Sequence, residues 1–193
     1  YKNRKVLITG HTGFKGSWLT LWLQMMGAKV VGISLPPETS PNHWSMLGLD
    51  VESYYLDIRD EVLLRQKILE VKPQLVFHLA AQPLVRRSYR KPLETWATNV
   101  MGTANVLDIC RQVEGLAAIV VVTSDKCYAN KEWVWGYREI DSLGGHDPYS
   151  ASKGGSELVA ASYRHSFFNT STSPLLATAR AGNVIGGGDW SED

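Results

Sequence analysis

Tyr149 and Lys153 stand four residues apart in Tyr149-Ser-Ala-Ser-Lys153. That spacing puts a phenol and an ammonium on one face of a helix, about one turn apart. A free phenol ionises near pH ~10 and is a poor base at neutrality. A fixed cation beside it favours the phenolate and brings it toward working range. Three glycines, Gly10, Gly13 and Gly16, fall between the apolar run that starts at Val6 and an apolar-rich segment over 17–26. Two of them let the backbone turn tightly and come close to a ligand. The third lets a helix pack near a strand, and the helix N-terminus then offers free N–H groups to an anion. The spacing is G-x-x-G-x-x-G, a variant of the pyrophosphate loop of dinucleotide sites. With a dinucleotide in place, Lys153 can also bond the nicotinamide ribose, and the positive ring adds to the field on Tyr149.

Ser124-Asp125-Lys126 follows another apolar run. Ser124 would hold the substrate oxygen from which Tyr149 takes a proton. Asp125 and Lys126 supply an acid and a base that can remove a proton beside a new carbonyl and protonate a leaving hydroxyl, which is elimination of water. The alternative for that pair is a solvated ion pair after a strand.

These groups need a scaffold, and the hydrophobic pattern predicts one. Strands are expected at the first apolar run and at 29–35, 54–57, 75–81, 116–123 and 175–180, with helices over 17–26, 60–71, 92–113 and 149–168. Segments 36–44, 82–91 and 131–148 read as loops. Alternating strands and helices imply an α/β, doubly wound, Rossmann-like parallel sheet. The end of the second strand offers Ser34, not the acidic residue that marks NAD, so NADP is not excluded. Asp57 either bonds the adenine amino group or caps the next turn. Ala80 and Ala81 leave room for a flat cofactor, and His78 reads as a satisfied core histidine. Arg86, Arg87 and Arg90 either hold phosphate or form a solvated cluster.

The 193 residues suit one domain, an NAD(P)-binding unit over 1–193. With 20 Lys and Arg against 19 Asp and Glu, a net charge of +1 offers no broad field for nucleic acid or an acidic membrane. Cys110 and Cys127 form no C-x-x-C pair, which suits a reducing, cytoplasmic compartment. No apolar run reaches membrane-spanning length, no signal peptide is read and no metal site is assigned. A chain that starts without Met and stops in a glycine-rich stretch reads as a fragment that lacks a C-terminal substrate lobe.

Taken together, these residues resemble the extended short-chain dehydrogenase/reductase family, and within it the nucleotide-sugar 4,6-dehydratases. Gly10-His-Thr-Gly-Phe-Lys-Gly16 looks like the family's cofactor loop, His78-Leu-Ala-Ala81 like its fourth strand end, and Tyr149/Lys153 like its catalytic pair. Gly10-His-Thr-Gly-Phe-Lys-Gly-Ser-Trp18, Gln82-Pro-Leu-Val-Arg-Arg-Ser-Tyr89, Thr123-Ser-Asp-Lys-Cys-Tyr128 and Gly186-Gly-Gly-Asp-Trp190 look like the branch that acts on CDP-glucose.

The resemblance implies NAD as cofactor, with Thr12, Phe14, Lys15, Ser34 and Asp57 near it. Ile58, Leu79, Asn99 and Thr123 would lie near it too, along with Ala80 and Ala81. It implies Gln82, Arg87, Ser88 and Asn183 near the sugar or diphosphate, and a homodimer through the 92–113 and 149–168 helices. Relatives acting on dTDP-glucose usually carry Thr-Asp-Glu where this chain reads Ser124-Asp125-Lys126, so Lys126 stands where their base carboxylate does. A nucleotide-sugar 4-epimerase needs the loop and the Tyr149/Lys153 pair but no acid and base beside Ser124. A non-catalytic dinucleotide sensor needs no phenolate at all.

Overall fold

The computed structural model describes residues 1–192; Asp193, the last residue of the expected domain, lies outside the described residues. Six strands form the sheet: β1 (Lys5–Thr9), β2 (Lys29–Ser34), β3 (Glu52–Tyr55), β4 (Leu75–His78), β5 (Ala118–Ser124) and β6 (Leu175–Ala181). They are all parallel, in the order β3-β2-β1-β4-β5-β6. The helices are α1 (Phe14–Met25), α2 (His43–Leu47), α3 (Glu61–Val71), α4 (Val85–Arg90), α5 (Pro92–Trp96), α6 (Gly102–Cys110) and α7 (Pro148–Ser166). The expected doubly wound sheet is therefore the observed one. The strand order reverses between β1 and β4, and that crevice at the carboxyl ends is where open α/β sheets take ligands.

Period-two alternation explains why both faces need cover. Val6 and Ile8 point to one side, where Leu23 of α1 closes over them with Val30. Leu7, Val31, Ile33, Val76, Ile119 and Val121 point to the other, under Leu64 and Ile68 of α3, Val106 and Leu107 of α6 and Ala160 of α7. Each fully buried Leu or Ile contributes about 1.5–3 kcal/mol relative to exposure. No helix among the described residues is long and apolar enough to cross a membrane.

The third strand lies two residues earlier than expected, at Glu52–Tyr55 instead of 54–57, and three further segments differ in kind. The stretch 82–91 contains α4, which has no apolar stripe of its own. Gln82 anchors its entry, accepting from the Leu84 N–H (2.7 Å) and donating to the Thr95 hydroxyl (2.9 Å). The single helix expected over 92–113 is broken by a π turn at Ala97–Met101. Hydroxyls of Thr103 (2.6 Å) and Ser156 (2.8 Å) donate to the Asn99 carbonyl there, competing with the helical ladder. Segment 36–44 is not wholly loop, since α2 starts at His43 with Asn42 accepting from the Ser45 N–H (2.8 Å).

Candidate active site

The glycine loop divides its three residues between two tasks. Gly10 has φ +79°, and a Cβ on it would meet the Ala80 nitrogen at 2.7 Å. A Cβ on Gly16 would lie 2.0 Å from the Gly10 carbonyl oxygen. Both glycines are thus demanded by protein packing against β4 and within the loop. Gly13 is exposed, and its Cβ would meet only the Gly10 oxygen at 3.4 Å. It is the N-cap of α1 and no side chain caps that end, so the first-turn N–H groups face an open side, a cradle that fits a pyrophosphate. Gly16→Ala is expected to cost about 3 kcal/mol by overpacking against backbone and to abolish dinucleotide binding, read by urea unfolding and calorimetric titration.

The neighbours of the loop are mostly committed to one another. Thr12 donates to the Leu35 carbonyl (2.8 Å), so the Ser34 hydroxyl at 2.7 Å is left to donate to Thr12. Phe14 lies beneath Gly186, at 3.3 Å from an added Cβ. Asp57 is held by the Arg59 guanidinium (2.5 Å) and backbone N–H (2.9 Å), and Ile58 packs its Cδ1 against Gly102. Leu79 and Ala80 follow β4 with their N–H groups on the Thr9 carbonyl (3.0 Å) and hydroxyl (3.3 Å), and Ala81 is half-buried. His78 is the satisfied core residue expected. Thr103 spends its proton on Asn99, so His78 Nε2–H donates to Thr103 (3.0 Å) and Nδ1 accepts from Thr9 (2.7 Å). Burial, with the Lys153 charge, takes its imidazole down to about 3, so the ring is neutral.

The structure brings Ser124, Asp125, Tyr149, Lys153 and Lys15 together. Asp147 caps α7 by accepting from the Ser150 N–H (2.9 Å), and Pro148 occupies its first position. This fixes Tyr149 and Lys153 on the helix face turned toward the end of β5. Tyr149 is only 8% exposed. Burial pushes its phenol above the ordinary value, a hydrogen bond with Ser124 pulls it down, and Asp125, Asp147 and Cys127 push it up again. The protein's own groups therefore keep Tyr149 protonated; Lys153 is not among the groups that shift it, and the expected pull toward the phenolate counted the positive nicotinamide as well. The Ser124 hydroxyl donates to Asp125 (3.0 Å) and accepts from the Lys126 N–H (3.2 Å).

Lys153 is buried, with its ammonium 3.4 Å from the Val122 carbonyl. Burial, and then the charge of Lys15, bring it down to about 8, against the pull of Glu157 and Cys127. Lys15 is itself lowered by burial and raised by Asp125.

Other expected residues stand apart from this cluster. Lys126 is exposed, and among the described residues its ammonium has no hydrogen-bond or ion-pair partner. Asn183 is exposed and likewise makes no hydrogen bond there. Arg87 is paired with Glu38 (2.8 Å) and Glu94 (2.6 Å), and Ser88 is buried with its hydroxyl on the Val85 carbonyl. Gln82 and Asn99 bond each other through N–H to Oδ1 (2.8 Å) and Nδ2 to the carbonyl (3.1 Å), with Asn99 also on Ser152 (2.8 Å). Thr123 donates to Glu157. Sequence reasoning missed Glu157, whose only sequence signal is its place four residues after Lys153, and the approach of Lys15 to Asp125 and Lys153.

A parallel sheet with a glycine loop at its switch point and a buried Tyr-x-x-x-Lys beside Ser124 defines an extended short-chain dehydrogenase/reductase. The chain belongs to the family described as GDP-mannose 4,6 dehydratase, whose model matches residues 7–176. Across its full length it is 55% identical to the CDP-glucose 4,6-dehydratase of Salmonella typhimurium, of which it covers 55%. The solved epimerase Mth375 of Methanothermobacter thermautotrophicus superposes with a TM-score of 0.85 at 28% identity, over 97% of this chain and 54% of that one. The UDP-glucose 4-epimerase of Thermus thermophilus, solved with NAD, gives 0.79 at 26% identity over 94% and 56%. The chain thus spans about half the length of the relatives it matches.

Proposed function

We propose that the full-length protein is a hydro-lyase that converts CDP-D-glucose to CDP-4-keto-6-deoxy-D-glucose, a precursor of deoxysugars in surface polysaccharides, with NAD as its cofactor. The observation that carries this reading is the meeting at the end of β5 of exposed Asp125, hydrogen-bonded by the buried Ser124 hydroxyl, with the buried Tyr149 phenol, whose ionisation Ser124 and Asp125 both shift. NAD would supply the hydride acceptor and donor for the sugar. Gly13 and the first turn of α1 would hold its pyrophosphate, and Lys153 its ribose. Ser124 orients the sugar 4-hydroxyl, and Tyr149 in its ionised form takes that hydroxyl's proton. Asp125, hydrogen-bonded by Ser124, protonates the departing 6-hydroxyl, and Lys126 swings in to remove the C5 proton. Gln82, Arg87, Ser88 and Asn183 would contact the sugar or diphosphate, which requires Arg87 to exchange Glu38 or Glu94 for phosphate.

A homodimer is part of the same reading. The segment from α5 through the π turn packs beside α7, with Trp96 and Val100 next to Gly155, and Leu93, Met101 and Leu158 on these elements are exposed. Two buried free thiols, Cys110 and Cys127, suit the cytoplasm.

The test is the product mass from full-length protein given CDP-glucose, with dTDP- and GDP-sugars as controls. Loss of one water supports elimination; an isomer of unchanged mass would replace it with 4-epimerisation, the reading favoured by the unpartnered Lys126. Binding of NAD with no turnover on any of these sugars would leave a dinucleotide sensor instead. Asp125→Asn is expected to lower dehydration about 10²-fold or more while hydride removal from C4, followed by absorbance of reduced NAD, continues. Lys126→Ala should do the same. If both variants keep wild-type turnover, Asp125 is not the acid and Lys126 is not the base of the elimination.

A further inference from the structure

Tyr149, Lys153 and Glu157 recur every four residues along α7 and so share one helix face. Glu157 is buried to 4% exposure in its side chain, a setting in which an unpartnered carboxylate takes up a proton. This one has three donors. The Arg180 guanidinium bonds Oε2 at 2.9 Å, the Thr178 hydroxyl bonds the same oxygen at 3.0 Å, and Thr123 donates to Oε1. Two of those donors sit on β6 and the third immediately precedes Ser124 on β5. Burial pushes the Glu157 acid up, but the bonds from Arg180, Thr123 and Thr178 outweigh it and leave the group ionised.

Lys153 has no such company. Its ammonium is buried, its hydrogen bond to the Val122 carbonyl is long, and no carboxylate among the described residues pairs with it directly. The charged and titratable groups that face it are Lys15 from α1, His78 from β4, Cys127 from the turn after β5, and Glu157 and the protonated Tyr149 from its own helix. His78 is neutral and Lys15 repels, so Glu157 is the one anion among these groups set to balance the ammonium at neutral pH.

We propose that Glu157 is a positioning residue for the reaction: the buried counter-charge of Lys153, fixed by Thr123, Thr178 and Arg180 one turn away from the ammonium it supports. This role rests on the reading of Lys153 as a site lysine, but its test does not use turnover. A merely structural Glu157 would stitch α7 to β5 and β6 and leave the lysine's titration alone.

The experiment is a ¹³Cε-lysine NMR titration of the full-length protein. Wild-type Lys153 should titrate near 8, its resonance assigned by its loss in Lys153→Met. Glu157→Gln keeps the size and loses the charge, so the midpoint should fall by about one pH unit. Arg180→Gln removes the cation that offsets Glu157, so the midpoint should rise. This second variant carries the test alone if Glu157→Gln does not fold. An unchanged midpoint, or a change of the wrong sign, in either folded variant overturns the proposal. A protein that shows both shifts yet dehydrates no nucleotide sugar would sink the functional reading and leave the role of Glu157 standing.

Discussion

Tyr149→Phe in the full-length protein is expected to reduce turnover of CDP-glucose by about 10³-fold or more while leaving the fold intact. The substitution deletes one oxygen. Its partner Ser124 keeps two other hydrogen bonds, to Asp125 and from the Lys126 N–H, so no buried group is orphaned. The stability change should stay within about 1 kcal/mol. The pH dependence is the sharper diagnostic. Burial holds the phenol above its ordinary value in the free protein, so kcat/KM of the wild type should climb with pH through neutrality. The residual rate of Tyr149→Phe should be flat over that range. A variant that keeps more than a tenth of the activity would remove the phenol from the mechanism.

The sign of that titration separates what the sequence carries from what only the fold can. Gly10, Gly13 and Gly16 were legible because glycine is the residue type that a tight approach of backbone demands, and the structure puts Gly10 and Gly16 against backbone atoms. The parallel sheet followed from alternating strands and helices, because parallel strands need crossovers. The field on Tyr149 was not legible. Counting neighbours along the helix finds the cation at Lys153, but desolvation is a property of everything packed around the ring.

Long-range pairing hid the other features. At the π turn the Gln82 backbone and the hydroxyls of Thr103, Ser152 and Ser156 meet at Asn99. No window of sequence contains all of them. Glu157 likewise looks like a surface glutamate until β5 and β6 deliver Thr123, Thr178 and Arg180 to it.

Lys153→Met is expected to stabilise the protein without dinucleotide and to disable it as an enzyme. In the fold the Lys153 ammonium gives up its proton near 8 instead of its ordinary 10.5, with burial the main cause. Below pH 8 both folded and unfolded chains carry the charge, and the folded state bears the whole desolvation cost. Between 8 and 10.5 the unfolded chain binds more protons than the folded one, so wild-type stability rises with pH across that window. Methionine keeps the apolar stem and removes the charge, and the bond it forfeits to Val122 is weak. At neutral pH the variant should therefore be more stable by about 1–3 kcal/mol, and the gap should close as the wild type passes 10.5. Urea unfolding at neutral and alkaline pH measures both. A variant less stable than wild type at neutral pH, or a gap that does not shrink with pH, would show that the buried ammonium does not strain the fold. Dinucleotide affinity should move the other way, because the same charge that burdens the fold is the one proposed to hold the ribose. A site residue whose removal strengthens the scaffold and weakens binding is one held in place for its chemistry, against the preference of the core around it.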